Sequence, residues 1–162
     1  MGNSTGYRHA VRLEDRDAVE RLVRSTGFFS NEECAIAVEL VDDRLARGQA
    51  SDYFFLFAEA GGRLLGYTCF GPIPGSSHSF DLYWIAVDPR TQGQGLGRKL
   101  IAESERLMAE QGARRVYADT SSRDQYKPTR AFYLACGYVQ EAFLADFYAP
   151  NDGKAIFVKI LK

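Results

Sequence analysis

Residues Gln92-Gly93-Gln94-Gly95-Leu96-Gly97-Arg98 set three glycines at alternate positions. They lie between an apolar strand pattern, Phe80 to Val87, and a helical pattern starting at Leu96. Glycine leaves backbone N–H groups unshielded, and a helix start adds unpaired donors and the positive end of its dipole. That junction suits a phosphate-bearing ligand. The spacing does not suit a mononucleotide P-loop, because Gly93 is followed five residues on by Arg98, and Lys99 precedes Leu100. A dinucleotide site wants G-x-G-x-x-G early in a strand–helix–strand unit, followed by an acid about 20 residues on. Here the pattern is G-x-G-x-G in mid-chain, but Asp119 stands near that offset. This alternative is weakened, not excluded. The plain alternative is a surface loop with a helix start.

The glycine run resembles the pyrophosphate-binding loop of the GNAT family of N-acetyltransferases, whose core is [QR]-x-x-G-x-[GA]. Gln92, Gly93, Gln94, Gly95, Leu96 and Gly97 match it, and Ile85-Ala86-Val87-Asp88-Pro89 resembles the strand before it. The resemblance implies acetyl-CoA as acetyl donor, its pyrophosphate on Gln92 to Arg98. It also implies that backbone groups around Ile85, Ala86 and Val87, on a strand splayed from its neighbour, take the pantetheine and polarise the thioester. A second stretch, Arg130-Ala131-Phe132-Tyr133-Leu134-Ala135-Cys136-Gly137-Tyr138, resembles the family's F-Y-x-x-x-G-[FY] motif. By that resemblance Tyr133 is the general acid for the departing thiolate. A tyrosine packed only as helix filling is the structural alternative. The chain departs from the family at Tyr126 and Thr129, where Asn and Ala are more usual.

Acetylation of an amine also needs a proton acceptor, since an alkyl ammonium has a pKa near ~10. Two carboxylates compete. Asp119 ends the strand pattern Val116 to Thr120, where many relatives carry a glutamate. Read structurally, it hydrogen-bonds its own turn at Thr120 and Ser121. Asp81 sits inside an apolar strand, where a carboxylate faces solvent or has a specific partner. Alternation puts Asp81, Tyr83, Ile85 and Val87 on one face. Asp81 and Tyr83, with Phe28 and Phe29 from the segment the family places near the acceptor, are the candidate acceptor-binding residues. His9 and His78 are the only histidines and have no ligand-spaced partners, so no metal is expected.

The remaining composition is unremarkable. Twenty basic and twenty-one acidic residues give a net charge of −1, so nucleic acid and anionic membrane are not expected partners. The start, Met1-Gly2-Asn3-Ser4-Thr5-Gly6, lacks a secretory apolar segment and the myristoylation pattern. Cys34, Cys69 and Cys136, odd in number and far apart, read as reduced buried thiols of a cytoplasmic protein. A small-molecule amine, an amino acid or a peptide N-terminus all fit as acceptor. A homodimer is expected at the level of the family.

These residues need positioning elements. Tyr7 to Leu13 reads as a strand, Glu14 to Thr26 as a helix, and Ser30 to Arg47 as another with a Ser30/Glu33 capping box. Tyr53 to Ala60 and Arg63 to Gly71 form a hairpin about Gly61-Gly62. After strand Phe80 to Val87 come the helix from Leu96 to Gly112, strand Arg115 to Thr120, a helix from Thr129 to Ala135, and a closing hairpin. The order β-α-α-β-β-β-α-β-α-β-β makes an α/β fold with a mixed, mostly antiparallel central sheet and helices on both faces. It is also the acetyltransferase family's order, read as one domain over residues 1–162. Two other functions remain: an acyl-CoA-binding module without catalysis on this scaffold, and a nucleotide-binding module.

Overall fold

A computed structural model describes residues 4–162; Met1 to Asn3, part of the chain start read above, lie outside the described residues. The elements are β1 (Gly6–Arg8), α1 (Asp15–Ser25), α2 (Asn31–Arg47), β2 (Phe54–Ala60), β3 (Arg63–Pro72) and β4 (Ser79–Val87). Then come α3 (Leu96–Glu110), β5 (Arg115–Ser121), α4 (Lys127–Ala135), β6 (Val139–Ala149) and β7 (Asp152–Ile160). The order matches the expected one. The seven strands run β1-β2-β3-β4-β5-β7-β6. β4 pairs with β5 in parallel, while β1–β2, β2–β3, β5–β7 and β6–β7 are antiparallel.

The chain forms two compact units, Met1–Gly71 with Trp84–Ser104, and Pro72–Tyr83 with Glu105–Lys162. The first is built on aromatic stacking. Phe55, Phe57 and Tyr67 lie with ring centroids 5.6–6.3 Å apart, all fully buried. Burying each phenylalanine ring contributes about 1.5–3 kcal/mol, whereas the Tyr67 hydroxyl is enclosed without a hydrogen-bond partner among the described residues, which offsets part of its gain. Val19, Leu22 and Val23 of α1 and Cys34, Ala37, Val38 and Val41 of α2 supply the helical share of that core. The α2 start is the expected capping box: Glu33 N–H donates to Ser30 Oγ at 3.1 Å, and Ser30 N–H to Glu33 Oε2 at 2.7 Å.

β1 is shorter than the pattern from Tyr7 to Leu13 suggested, and the cause is local. Arg12 N–H donates to Asp15 Oδ2 at 2.7 Å, and Asp15 N–H to Arg12 O at 3.0 Å. The Arg8 guanidinium also donates to the Asp15 carboxylate. These bonds turn the chain into the start of α1 before a longer strand can pair. Elsewhere in this unit, β3 comes close to the end of β4 at Gly66. A Cβ there would sit 3.0 Å from both Ala86 O and Leu100 Cδ1. The hydroxyls of Thr68 and Ser104, 2.6 Å apart and buried, tie β3 to α3.

In the second unit the parallel ladder runs from Ser79↔Arg115 to Asp81↔Tyr117. β5 pairs along its whole length with β7, and β7 with β6. Tyr133 of α4 packs between Tyr138 and Phe157, with centroids 5.6 and 5.7 Å away. Behind it, Tyr138 Oη donates to Glu105 Oε2 at 3.3 Å, and Lys159 Nζ donates to Glu105 Oε1 at 2.7 Å and Cys136 O at 2.8 Å. This nearly enclosed network fixes the C-terminal end of α4. Its other end is held by Arg130, which donates to the carbonyls of Ser121 and Arg123. β6 is the exposed edge: Phe143, Leu144, Phe147 and Tyr148 are all at least 43% accessible.

Candidate active site

In the first unit, Gly93 and Gly95 have φ of 80° and 79°, with no atom within 4 Å of a notional Cβ. The requirement for glycine is therefore conformational, not steric. Gln92, Gly93, Gln94, Gly95 and Arg98 are exposed, and Leu96 is buried as the first inward residue of α3. Lys99 N–H donates to Gly95 O, so the N–H groups of Leu96, Gly97 and Arg98 have no place in the helix ladder. Exposed loop amides and free helix-start donors fit a pyrophosphate.

Asp88 holds the base of this loop. It is 3% exposed; its Oδ1 accepts from Arg90 N–H at 2.9 Å, and its carboxylate also takes the Arg90 guanidinium. Its own N–H donates to Leu65 O at 2.7 Å, and its carbonyl receives Thr91 Oγ1 at 2.9 Å. Asp88 appeared in the sequence only as part of the strand ending. An Asp followed by Pro is a turn signal that pointed to this anchor. Asp88→Ala is expected to weaken coenzyme A binding about 10-fold by loosening the cradle before the helix. Isothermal titration measures it, and an unchanged Kd would remove Asp88 from this role.

The second unit brings the two candidate carboxylates onto one sheet face. Asp81 is in register with Tyr117, and Asp119 lies two residues further along β5, so all three project the same way. Asp81 is half-buried. Burial first, and the charge of Asp119 second, raise its carboxyl to about 6; Lys154 opposes them. Asp119 does not fold back on its own turn. Its Oδ2 lies 2.8 Å from Lys154 Nζ, whose hydrogen bond to it raises the lysine pKa. Lys154 was not among the candidate residues. Its place follows from the Ser121↔Lys154 register, which only the pairing of β5 with β7 reveals.

Tyr133 is 5% exposed, and its hydroxyl makes no hydrogen bond among the described residues. Burial, then the Asp119 charge, push its pKa up, so the phenol keeps its proton. Tyr126 is buried, with the Arg123 guanidinium 5.3 Å from its ring centroid. Cys34 and Cys69 are buried and Cys136 is half-buried; none forms a disulfide.

Phe28 and Phe29 meet edge to face at 5.4 Å in the first unit, and Phe29 lies 4.8 Å from Trp84. The Trp84 Nε1–H is enclosed without a partner among the described residues. Ile85 and Val87 are half-buried and Ala86 is buried. Tyr83 belongs to the second unit, with Asp81, Asp119 and Tyr133. Among the described residues no three of His, Cys, Asp and Glu gather as a metal would require. No helix among them is long and apolar enough to cross a membrane.

Comparison with known proteins converges on one assignment. The profile of the acetyltransferase (GNAT) family matches residues 16–138, and the chain belongs to that family of enzymes. Mycothiol acetyltransferase of Amycolatopsis mediterranei is 31% identical over 122 residues, 72% of this chain. The chain spans 40% of that relative's length. A crystal structure of a GNAT-family protein from Desulfovibrio desulfuricans shares 43% identity at a TM-score of 0.95, over 97% of this chain and 99% of that one. PaiA N-acetyltransferase from Thermoplasma acidophilum, solved with coenzyme A, superposes at a TM-score of 0.75 with 19% identity, over 98% of this chain and 99% of that one. The last likeness concerns the fold alone.

Proposed function

We propose that the chain, as one acetyltransferase domain over residues 1–162, moves the acetyl group of acetyl-CoA directly onto a primary amine. The acceptor is a small molecule, an amino acid or a peptide N-terminus, bound together with the donor. One observation supports the reading: the second unit holds a carboxylate suited to take a proton, Asp81, on the same sheet face as Asp119, and a phenol suited to give one, Tyr133, which has no hydrogen-bond partner among the described residues and lies within the influence of the Asp119 charge. Amine acetylation needs both. Asp81 takes the ammonium proton, directly or through water, freeing the lone pair that forms the new C–N bond. Tyr133 O–H supplies a proton to the sulfur as the C–S bond breaks, and the second proton lost by the nitrogen as the amide forms restores the phenol. Gly93 to Arg98 hold the donor's pyrophosphate, and the backbone of Ile85, Ala86 and Val87 its pantetheine arm. Phe28, Phe29 and Tyr83 are the proposed acceptor contacts. We place the protein in the cytoplasm, in keeping with its three cysteines outside disulfides, and as a homodimer, in keeping with the exposed apolar strand β6.

A thermal-shift panel of acetyl-CoA, CoA, NAD and ATP tests the donor. At a hundredfold excess over its Kd, acetyl-CoA is expected to add about 2.7 kcal/mol and raise Tm by several degrees, with NAD and ATP inert. Stabilisation by NAD or ATP instead would overturn the donor assignment. Thiol release across a panel of amines then tests transfer; one arm asks whether the chain shares the acceptor of its mycothiol-acetylating relative. Coenzyme binding with no thiol release from any amine would make it a binding module.

A further inference from the structure

Three charged side chains share one face of the second unit: Asp81 of β4, Asp119 of β5 and Lys154 of β7. Lys154 Nζ is 2.8 Å from Asp119 Oδ2 and 4.5 Å from the Phe147 ring centroid. The Asp119 register partner is Ile156, so Lys154 reaches it along the sheet diagonal, from opposite Ser121. The lysine side chain is 20% exposed, and its strand is paired on both sides, with Ser121 of β5 and Leu144 of β6 as the register partners of Lys154. An amine acetyltransferase has no evident need of a fixed cation beside its proton acceptor, because that cation repels the ammonium to be bound. Its placement calls for a reason.

We propose that Lys154 is a positioning residue: by occupying Asp119 it leaves one net negative charge on this face and assigns proton uptake to Asp81 alone. Without it, the Asp119 carboxylate would face Asp81 with no cation between β5 and β7 to offset it, and the Asp81 carboxyl would hold its proton to a higher pH. With it, Asp119 is satisfied by its own cation, and the remaining charge matches a single ammonium. The acceptor class that follows is an amine presenting one positive charge at this face. This part rests on the proposed transfer to an amine; the charge assignment itself does not. By register and alternation the groups on the Asp81 face are Tyr83 on its own strand, Arg115, Tyr117 and Asp119 from β5, and Lys154 from β7; of these, the Asp119 and Lys154 charges act on Asp81. Tyr148 of β6 acts through Lys154, and Tyr133 of α4 through Asp119. Arg115 is engaged with Glu141 at 3.6 Å.

The test follows the Asp81 carboxyl carbon by NMR against pH in the full chain, which needs no turnover. Lys154→Met is expected to raise its midpoint by about 0.5–1 pH unit, and Lys154→Arg to keep it near the wild-type value. Asp119→Asn is expected to lower it. A midpoint that stays put or falls in Lys154→Met overturns the assignment. Should that variant fail to fold, a midpoint that does not fall in Asp119→Asn overturns it equally. The acid limb of kcat/KM should move in the same order. If no amine is acetylated by the wild type, the proposed function fails, while the NMR midpoints still decide the role of Lys154.

Discussion

Replacing Tyr133 by phenylalanine is expected to lower kcat about 100-fold while leaving acetyl-CoA binding and thermal stability nearly unchanged. The stability half follows from packing. The ring lies between Tyr138 and Phe157, and phenylalanine keeps both contacts. The hydroxyl has no hydrogen-bond partner among the described residues, so its removal leaves no buried group stranded. The kinetic half follows from the same fact. A buried tyrosine whose oxygen has no hydrogen-bond partner among the described residues, and whose raised pKa keeps it protonated, fits the proposed role of proton donor. Stopped-assay kinetics and a melting curve on one preparation test both halves. Normal turnover would remove the general-acid role, whereas a large drop in Tm would turn the effect into one of packing.

Asp81→Asn is expected to act in opposite directions on activity and stability. At pH 7.5 kcat/KM should fall about 100-fold, because the proposed proton acceptor is gone. In the wild type, kcat/KM should rise with pH through about 6, where Asp81 becomes a carboxylate; the variant should lack that limb. Stability runs the other way. The native carboxyl holds its proton to a higher pH than the unfolded one, so its contribution is present below the ordinary carboxylate range and is lost as pH rises through about 6. Above that pH the native state carries a partly desolvated charge. Asparagine removes it, for a gain of about 1 kcal/mol once solvent screening of a half-exposed group is discounted. Melting curves at pH 5 and pH 8 check the sign: the gain should appear only at the higher pH. A persistent limb near pH 6 would move the proton acceptor elsewhere.

Local pattern carried much of the fold and part of the site. Capping at Ser30, the hairpin glycines and the period of each apolar run are written within a few residues, and the element order could be read from them. The β1 boundary could not, because alternation from Tyr7 to Leu13 competes with the Asp15 carboxylate, which captures Arg8 and Arg12. Among site residues, the glycine loop and Tyr133 stand in contiguous motifs. The state of Asp81 depends on Asp119 and Lys154, which lie 38 and 73 residues further along the sequence. No window of sequence contains that triad; the β5–β7 register creates it. The role of Asp88 was hidden for a different reason. Its bonds are local, but an Asp before Pro marks many turns, and burial distinguishes this one.

One placement also equips the protein for observation. Trp84 is the chain's only tryptophan, its indole N–H is shut away from water, and its ring rests against Phe29. The native protein therefore carries an optical gauge beside the Phe28–Phe29 segment. Emission stays toward short wavelengths while the rings are together, and moves to the red when Phe29 withdraws and water reaches the indole. Motion of that segment can be timed on the unlabelled, unmutated chain.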